Sequence, residues 1–174
     1  MQMVDRVRDT SQSHNRCSVI EVMGRHSGHI ALYCGIACGA LAIAIPEKEF
    51  NLERDVIAKM VTTLRSGKQN FIIMVAEGVG SATDIAKRIQ ELTGITTNAV
   101  VLGHVQRGGT PTVRERVLAS NMGHRAVSLL AQGIGGRVVI LRDGKVSDLD
   151  FEEALAMQKG IDEDLLRVAN EISI

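Results

Sequence analysis

Four short apolar runs, each too brief for a helix and each followed by a longer helical pattern, constrain this chain more than any other feature. The runs are Cys17–Met23 (CSVIEVM), Ala42–Ile45, Phe71–Ala76 and Ala99–Leu102. All are mostly apolar without clean alternation, the pattern of parallel strands covered on both faces. Helical patterns lie between them over His26–Gly39, Leu52–Leu64 and Ala82–Leu92, the last with Gly94 just beyond as a stop. The order βαβαβαβ implies an α/β fold: a three-layer, Rossmann-like parallel sheet flanked by helices and joined by right-handed crossovers.

After residue 104 the character changes. Val113–Gln132 reads as a long helix with Val113, Val117, Leu118, Met122, Leu129 and Leu130 along one side. GRVVILRDGKVSD then reads as a hairpin through Asp143-Gly144. Two short acidic helices follow, near Phe151–Gln158 and Asp162–Ile172. At the other end, MQMVDRVRDTSQSH reads as the close of a helix running into a polar loop, with Thr10–Ser13 as the breaker. A domain that opens inside a helix suggests a fragment.

Composition narrows the function classes. Lys+Arg and Asp+Glu are both 20, so no bulk field attracts nucleic acid or anionic membrane, and any anion binding must be local. One Tyr, three Phe and no Trp argue against base-stacking platforms. The longest apolar stretches, such as Leu41–Pro46 and Phe71–Ala76, are far too short to span a bilayer, and no signal-peptide pattern follows Met1. Cys34 and Cys38, one helical turn apart, suit either a metal pair or buried small hydrophobes, and the second is the commoner fate of free cysteine. A reduced, cytoplasmic setting is expected.

In a parallel α/β sheet, ligands sit beyond the carboxyl ends of the strands. The first run ends in VIEVMGRHSG, the third in IIMVAEGVG and the fourth in VVLGHVQRGG. Arg25, Glu77, His104 and Arg107 are thereby expected on one rim. Arginine forks match phosphate oxygens, a carboxylate accepts from sugar hydroxyls, and Thr110-Pro111-Thr112 opens a helix with Thr112 and Glu115 spaced as a capping box. The same residues also have plainer uses: Arg25 as a surface residue, Glu77-Gly78 as a strand-end turn, His104 as a packed histidine. The GRHSG stretch is no phosphate loop, because it lacks the Gly-Lys-Ser/Thr ending.

VMGRHSGHIAL together with LGHVQRGGTPTVRER closely resembles the substrate-binding, C-terminal portion of bacterial-type ATP-dependent 6-phosphofructokinase. RDTSQSHNR, the IPE after the second run and the VAEG strand end match in order and spacing, so the resemblance covers essentially the whole chain. It implies a two-lobed α/β enzyme of glycolysis that moves the γ-phosphoryl of ATP to the 1-hydroxyl of fructose 6-phosphate, using Mg²⁺. It implies that Met23, Gly24 and Arg25 contact the sugar and the transferring phosphoryl, with Arg25 catalytic, that Glu77 holds sugar hydroxyls, and that His104 and Arg107 grip the 6-phosphate. Arg16 matches an arginine lent to a neighbouring subunit's site, which implies a homo-oligomer: a tetramer in the intact family, a dimer or swapped assembly for this chain. Arg8 and Lys68 match positions that hold ADP or phosphoenolpyruvate as effectors.

The domain reading that follows is a sugar-phosphate and effector lobe over 1–105, a crossover helix and hairpin over 106–150 that packs on an ATP lobe, and helices over 151–174 returning to the first lobe. The glycine-rich ATP site, the magnesium-holding Asp and the Thr-Ile-Asp-Asn-Asp base of the family do not occur in this sequence. The isolated chain is therefore expected to be inactive, with no metal ligands and no tightly bound cofactor. A pyrophosphate-dependent branch and a non-catalytic sugar-phosphate or nucleotide-binding module are the alternatives.

Two positions depart from the family pattern. Asn98, five before the glycine of Gly103-His104, stands where the signature begins with a basic residue, and Leu41 stands where many bacterial members carry an effector-site carboxylate. Losing a cation weakens phosphate binding, so Asn98→Arg should tighten fructose 6-phosphate by about tenfold, as a charge-assisted bond would. Calorimetry on both proteins reads this directly, and equal affinities would contradict it.

Overall fold

The computed structural model describes residues 1–173. Its elements are α1 (Gln2–Ser13), β1 (Cys17–Val22), α2 (His29–Ala37), β2 (Ala42–Ala44), a π-helical stretch (Glu53–Ile57) running into α3 (Ala58–Arg65), β3 (Phe71–Ala76), α4 (Ala82–Thr93) and β4 (Thr97–Val101). A 3₁₀ turn (Gly103–Arg107) leads to α5 (Val113–Ala131), β5 (Arg137–Arg142), β6 (Lys145–Asp150), α6 (Phe151–Ala156) and α7 (Glu163–Ile172). By packing, the chain forms two compact units, one of residues 1–107 with 161–174 and one of Gly108–Gly160.

The first unit is built on a four-stranded parallel sheet in the order β2-β3-β1-β4. All six residues of β3 are buried, and successive side chains point to opposite faces. Phe71, Ile73 and Val75 join Val19, Val56, Met60, Ala86 and Ile89 on one side. Ile72, Met74 and Ala76 join Val4, Ile20, Val22 and Ala31 on the other. Residues of α3 and α4 cover the first face, and residues of α1 and α2 the second, with Ile161 and Leu166 of the returning segment added there. This is the three-layer parallel arrangement anticipated from the four apolar runs. α4 ends at Gly94, whose φ of 71° is left-handed, as the stop signal required.

Two local expectations are corrected. Thr10–Ser13 do not break α1: Thr10 and Ser13 hydroxyls bond back to the Arg6 and Thr10 carbonyls, and Ser11 Oγ meets Ser18 Oγ at 2.6 Å in the interior. Hydroxyls satisfied in this way no longer compete with the helix. α2 begins at His29, not His26, because residues 24–27 form a turn closed by Ser27 N–H to the Gly24 carbonyl, 2.9 Å.

In the second unit, α5 carries the anticipated capping box with both halves formed: Thr112 Oγ1 accepts from Glu115 N–H and Glu115 Oε2 accepts from Thr112 N–H. The hairpin turns at Asp143 and Gly144, whose φ values of 51° and 75° are those of a two-residue mirror-image turn. The side chains of Arg125 and Arg137 both bond Asp148, tying α5 to the hairpin. The one-sided stripe expected on α5 splits. Leu129 is buried and Leu118 and Met122 are half-buried, but Val113, Val117 and Leu130 are exposed. Helix α6 was expected to return to the first lobe with α7. It stays beside the hairpin, Phe151 N–H bonding the Gly136 carbonyl at 2.9 Å, and α7 returns alone.

Ile73 in the centre of β3 has no exposed surface. Ile73→Ala should lower the unfolding free energy by about 2–5 kcal/mol through lost transfer energy and an unfilled cavity. Chemical denaturation measures this, and a loss below about 1 kcal/mol would contradict close packing around β3.

Candidate functional site

Strand β1 lies between β3 and β4, so its carboxyl end is flanked by both of their tips. The strand ladder stops there: Glu77 N–H bonds the Val22 carbonyl at 2.9 Å, and Leu102 N–H bonds the Glu21 carbonyl at 3.2 Å. The next three backbone N–H groups of the β1 chain have no strand partner, and side chains take them instead. Met23 N–H donates to Gln106 Oε1 at 2.8 Å, while Gly24 and Arg25 N–H donate to Glu77 Oε1 at 3.2 and 2.7 Å.

The turn they hold is a strained one. Arg25 has a φ of 53°, a left-handed conformation that non-glycine residues adopt at a cost. Gly78 makes the close approach possible, because a Cβ there would stand 2.0 Å from the Arg25 carbonyl oxygen. The third strand's tip therefore supplies both the carboxylate that anchors the turn and the glycine that lets it pass.

Charge follows geometry. The Gly24 and Arg25 amides, then the Arg25 and Arg107 guanidinium groups, hold the Glu77 carboxyl below the usual glutamate range. On the 3₁₀ turn, His104 and Arg107 are three residues apart, so their side chains eclipse on one face, and both are exposed. Glu77, Arg25 and Arg107 thus sit within electrostatic reach on one rim, with His104 on the same turn as Arg107.

The other sequence candidates lie elsewhere. Arg16 precedes β1, and the six residues of that strand put roughly 20 Å between it and the rim. Arg16 shares a cavity of about 290 Å³ with Asn98, Arg6 and Met3. Arg8 donates to the Cys38 carbonyl at the end of α2, and Lys68 lies half-buried ahead of β3. Leu41 is buried, 1% exposed, its N–H bonded to the Ile72 carbonyl. Cys38 donates its thiol to the Gly35 carbonyl, and burial pushes the Cys17 thiol up to about 12.

Two residues outside the sequence candidates help to build the site. Gln106 stands between His104 and Arg107, and a polar residue out of phase with that pair on a three-per-turn helix is its signal in the sequence. Glu47, the acid of the IPE stretch, accepts the Gly28 N–H with both carboxylate oxygens, at 2.8 and 3.0 Å, and fixes the chain where it runs from the rim into α2.

An open parallel sheet with arginine-bearing, glycine-lined turns at its carboxyl ends defines the class: an α/β domain of the kind whose ligands sit at the strand tips. The phosphofructokinase family profile matches residues 1–130, and the chain belongs to that family. It is 54% identical over 171 residues to the ATP-dependent 6-phosphofructokinases of Bacillus thuringiensis (strain Al Hakam) and Bacillus anthracis (strain A0248), a match covering 98% of this chain and 53% of each relative. The chain thus spans about half the length of these relatives. Among solved structures, phosphofructokinase from Saccharomyces cerevisiae matches with a TM-score of 0.83 and 32% identity, over 98% of this chain and 24% of that one. A pyrophosphate-dependent phosphofructokinase from Marinobacter aquaeolei shares the fold with a TM-score of 0.78 at 19% identity, over 99% of this chain and 52% of that one.

The Glu77 anchor has a pH signature. Its folded pKa is depressed, so its contribution is present above the ordinary glutamate value and is lost as pH falls through the lower folded value. The Gly24 and Arg25 amide resonances should stay fixed through about pH 4.3, the free glutamate value, and shift only below it. Movement centred on the free value would contradict the anchor.

Proposed function

We propose that the intact protein is an ATP-dependent 6-phosphofructokinase that transfers the γ-phosphoryl of ATP to the 1-hydroxyl of fructose 6-phosphate, in the cytoplasm, and that this chain supplies the sugar-phosphate half of the site. The observation that carries the reading is the rim itself, where the Arg25 turn, Glu77 and the His104–Arg107 face share the carboxyl ends of three adjacent strands.

Each residue has a task in this reading. Arg107 and His104 grip the 6-phosphate, the arginine through its planar fork. Neither anchoring bond uses Glu77 Oε2, so that oxygen accepts from a sugar hydroxyl. Met23 and Gly24 shape the floor under the sugar. Arg25 carries positive charge toward the phosphoryl in flight, where a fixed cation lowers the barrier most. The donor named in the 54%-identical relatives favours ATP over pyrophosphate.

Among the described residues, no group of three or more His, Cys, Asp or Glu side chains could hold a metal ion. No Mg²⁺ ligand is assigned to this chain in this reading, and no step here runs through one. In this reading Mg²⁺ and ATP are held by the part of the enzyme that the relatives have beyond this match.

Arg16 and Asn98 lie at the far end of the sheet from the rim, which supports their service to a neighbouring subunit and hence a homo-oligomer. Arg8 and Lys68 are proposed to contact ADP or phosphoenolpyruvate between subunits. Response to either is expected to be weak, since Arg8 is partly committed to Cys38 and position 41 offers a buried methyl surface in place of a carboxylate.

Calorimetry of the purified chain should detect fructose 6-phosphate binding that Arg107→Ala weakens by about tenfold or more, with no ATP-dependent turnover. Light scattering on the same sample should give a dimer or larger species. Absence of binding by the wild-type chain would overturn the substrate reading, turnover by it would overturn the division of labour, and a monomer would overturn the shared site.

A further inference from the structure

We propose that Gln106 is a positioning residue that holds the phosphate-gripping 3₁₀ turn in register with the arginine turn at the end of β1. The inference rests on the reading of the rim as a fructose 6-phosphate site.

The geometry of the turn carries it. With three residues per turn, positions 104 and 107 share one face and positions 103 and 106 share another. His104 and Arg107 are exposed, whereas Gln106 is half-buried, so the same turn shows an imidazole and a guanidinium outward and one carboxamide inward. The inward group reaches across 83 residues of sequence to accept the Met23 N–H at 2.8 Å.

That N–H is the first on β1 beyond the ladder, adjacent to Gly24 and Arg25, whose own N–H groups are taken by Glu77 from the opposite side. The turn is therefore clamped from both neighbouring strands, by a carboxylate from β3 and a carboxamide from the β4 side. Among the described residues, the Gln106 bond is the one hydrogen bond joining the His104–Arg107 turn to the Met23–Arg25 turn. A ligand that spans the two, with a phosphate at one end and a reacting hydroxyl at the other, needs their spacing fixed. Misplacement of about 1 Å is enough to lose much of such a site's advantage.

Three variants of the full chain test this. Gln106→Met keeps the side-chain length without the acceptor, Gln106→Asn keeps the polarity but falls one methylene short, and Gln106→Glu keeps an acceptor in place. By NMR, the Met23 amide should exchange about tenfold faster in the Met and Asn variants, with shifted amides over residues 103–107, and close to wild type in the Glu variant. Unchanged exchange and shifts in both deficient variants would overturn the proposal. In titrations, fructose 6-phosphate should bind those variants about tenfold more weakly, while inorganic phosphate, which needs the grip alone, should lose far less. Equal losses for both ligands would mark general loosening and overturn it. A wild-type chain that binds neither ligand would overturn the substrate reading, and the Met23 exchange and the 103–107 shifts would then decide the clamp by themselves.

Discussion

The organisation of this protein depends on how three consecutive backbone N–H groups are satisfied where a central strand runs out of partners. Beyond Val22 the β1 chain leaves the ladder, and unpaired N–H groups in a partly covered place are costly. Glu77 and Gln106, one from each neighbouring strand end, supply the missing acceptors. Because parallel neighbours end on the same edge of the sheet, the acceptors arrive from both sides without any long loop. The strained backbone at Arg25 persists because it is held in this way.

The same arrangement sets the electrostatics of the rim. A carboxylate placed among backbone amides and two guanidinium groups stays ionised well into acid, so it offsets cationic charge that would otherwise repel itself. The exposed His104 and Arg107 face remains available for an anion, and a phosphate ester is a good match for a fork beside a ring donor. A local site of this kind needs no net positive charge on the protein, and the chain has none.

The sheet also keeps two groups of candidate residues apart. The rim collects Arg25, Glu77, Gln106, His104 and Arg107, whereas Arg16 and Asn98 share a cavity roughly a strand length away.

Much of this was legible in residues alone. The four apolar runs determined the strands and their parallel direction, because unbroken apolar runs between helical patterns have few other stable uses, whereas the order β2-β3-β1-β4 came from the structure. Gly94, Thr112 with Glu115, and Asp143-Gly144 determined their own turns, since cap and turn chemistry is local. Thr10–Ser13 misled because their hydroxyls find partners inside the helix and at Ser18, a residue of the adjacent strand. The α5 stripe misled because burial depends on which side the hairpin takes, and periodicity does not name that side. Sequence pattern determined that Arg25, Glu77, His104 and Arg107 lie at strand ends. Only the tertiary structure decided that Glu77 spends one oxygen on backbone and that Gln106 faces inward to Met23, because both bonds join residues more than fifty positions apart and exist only once β3, β1 and β4 lie side by side.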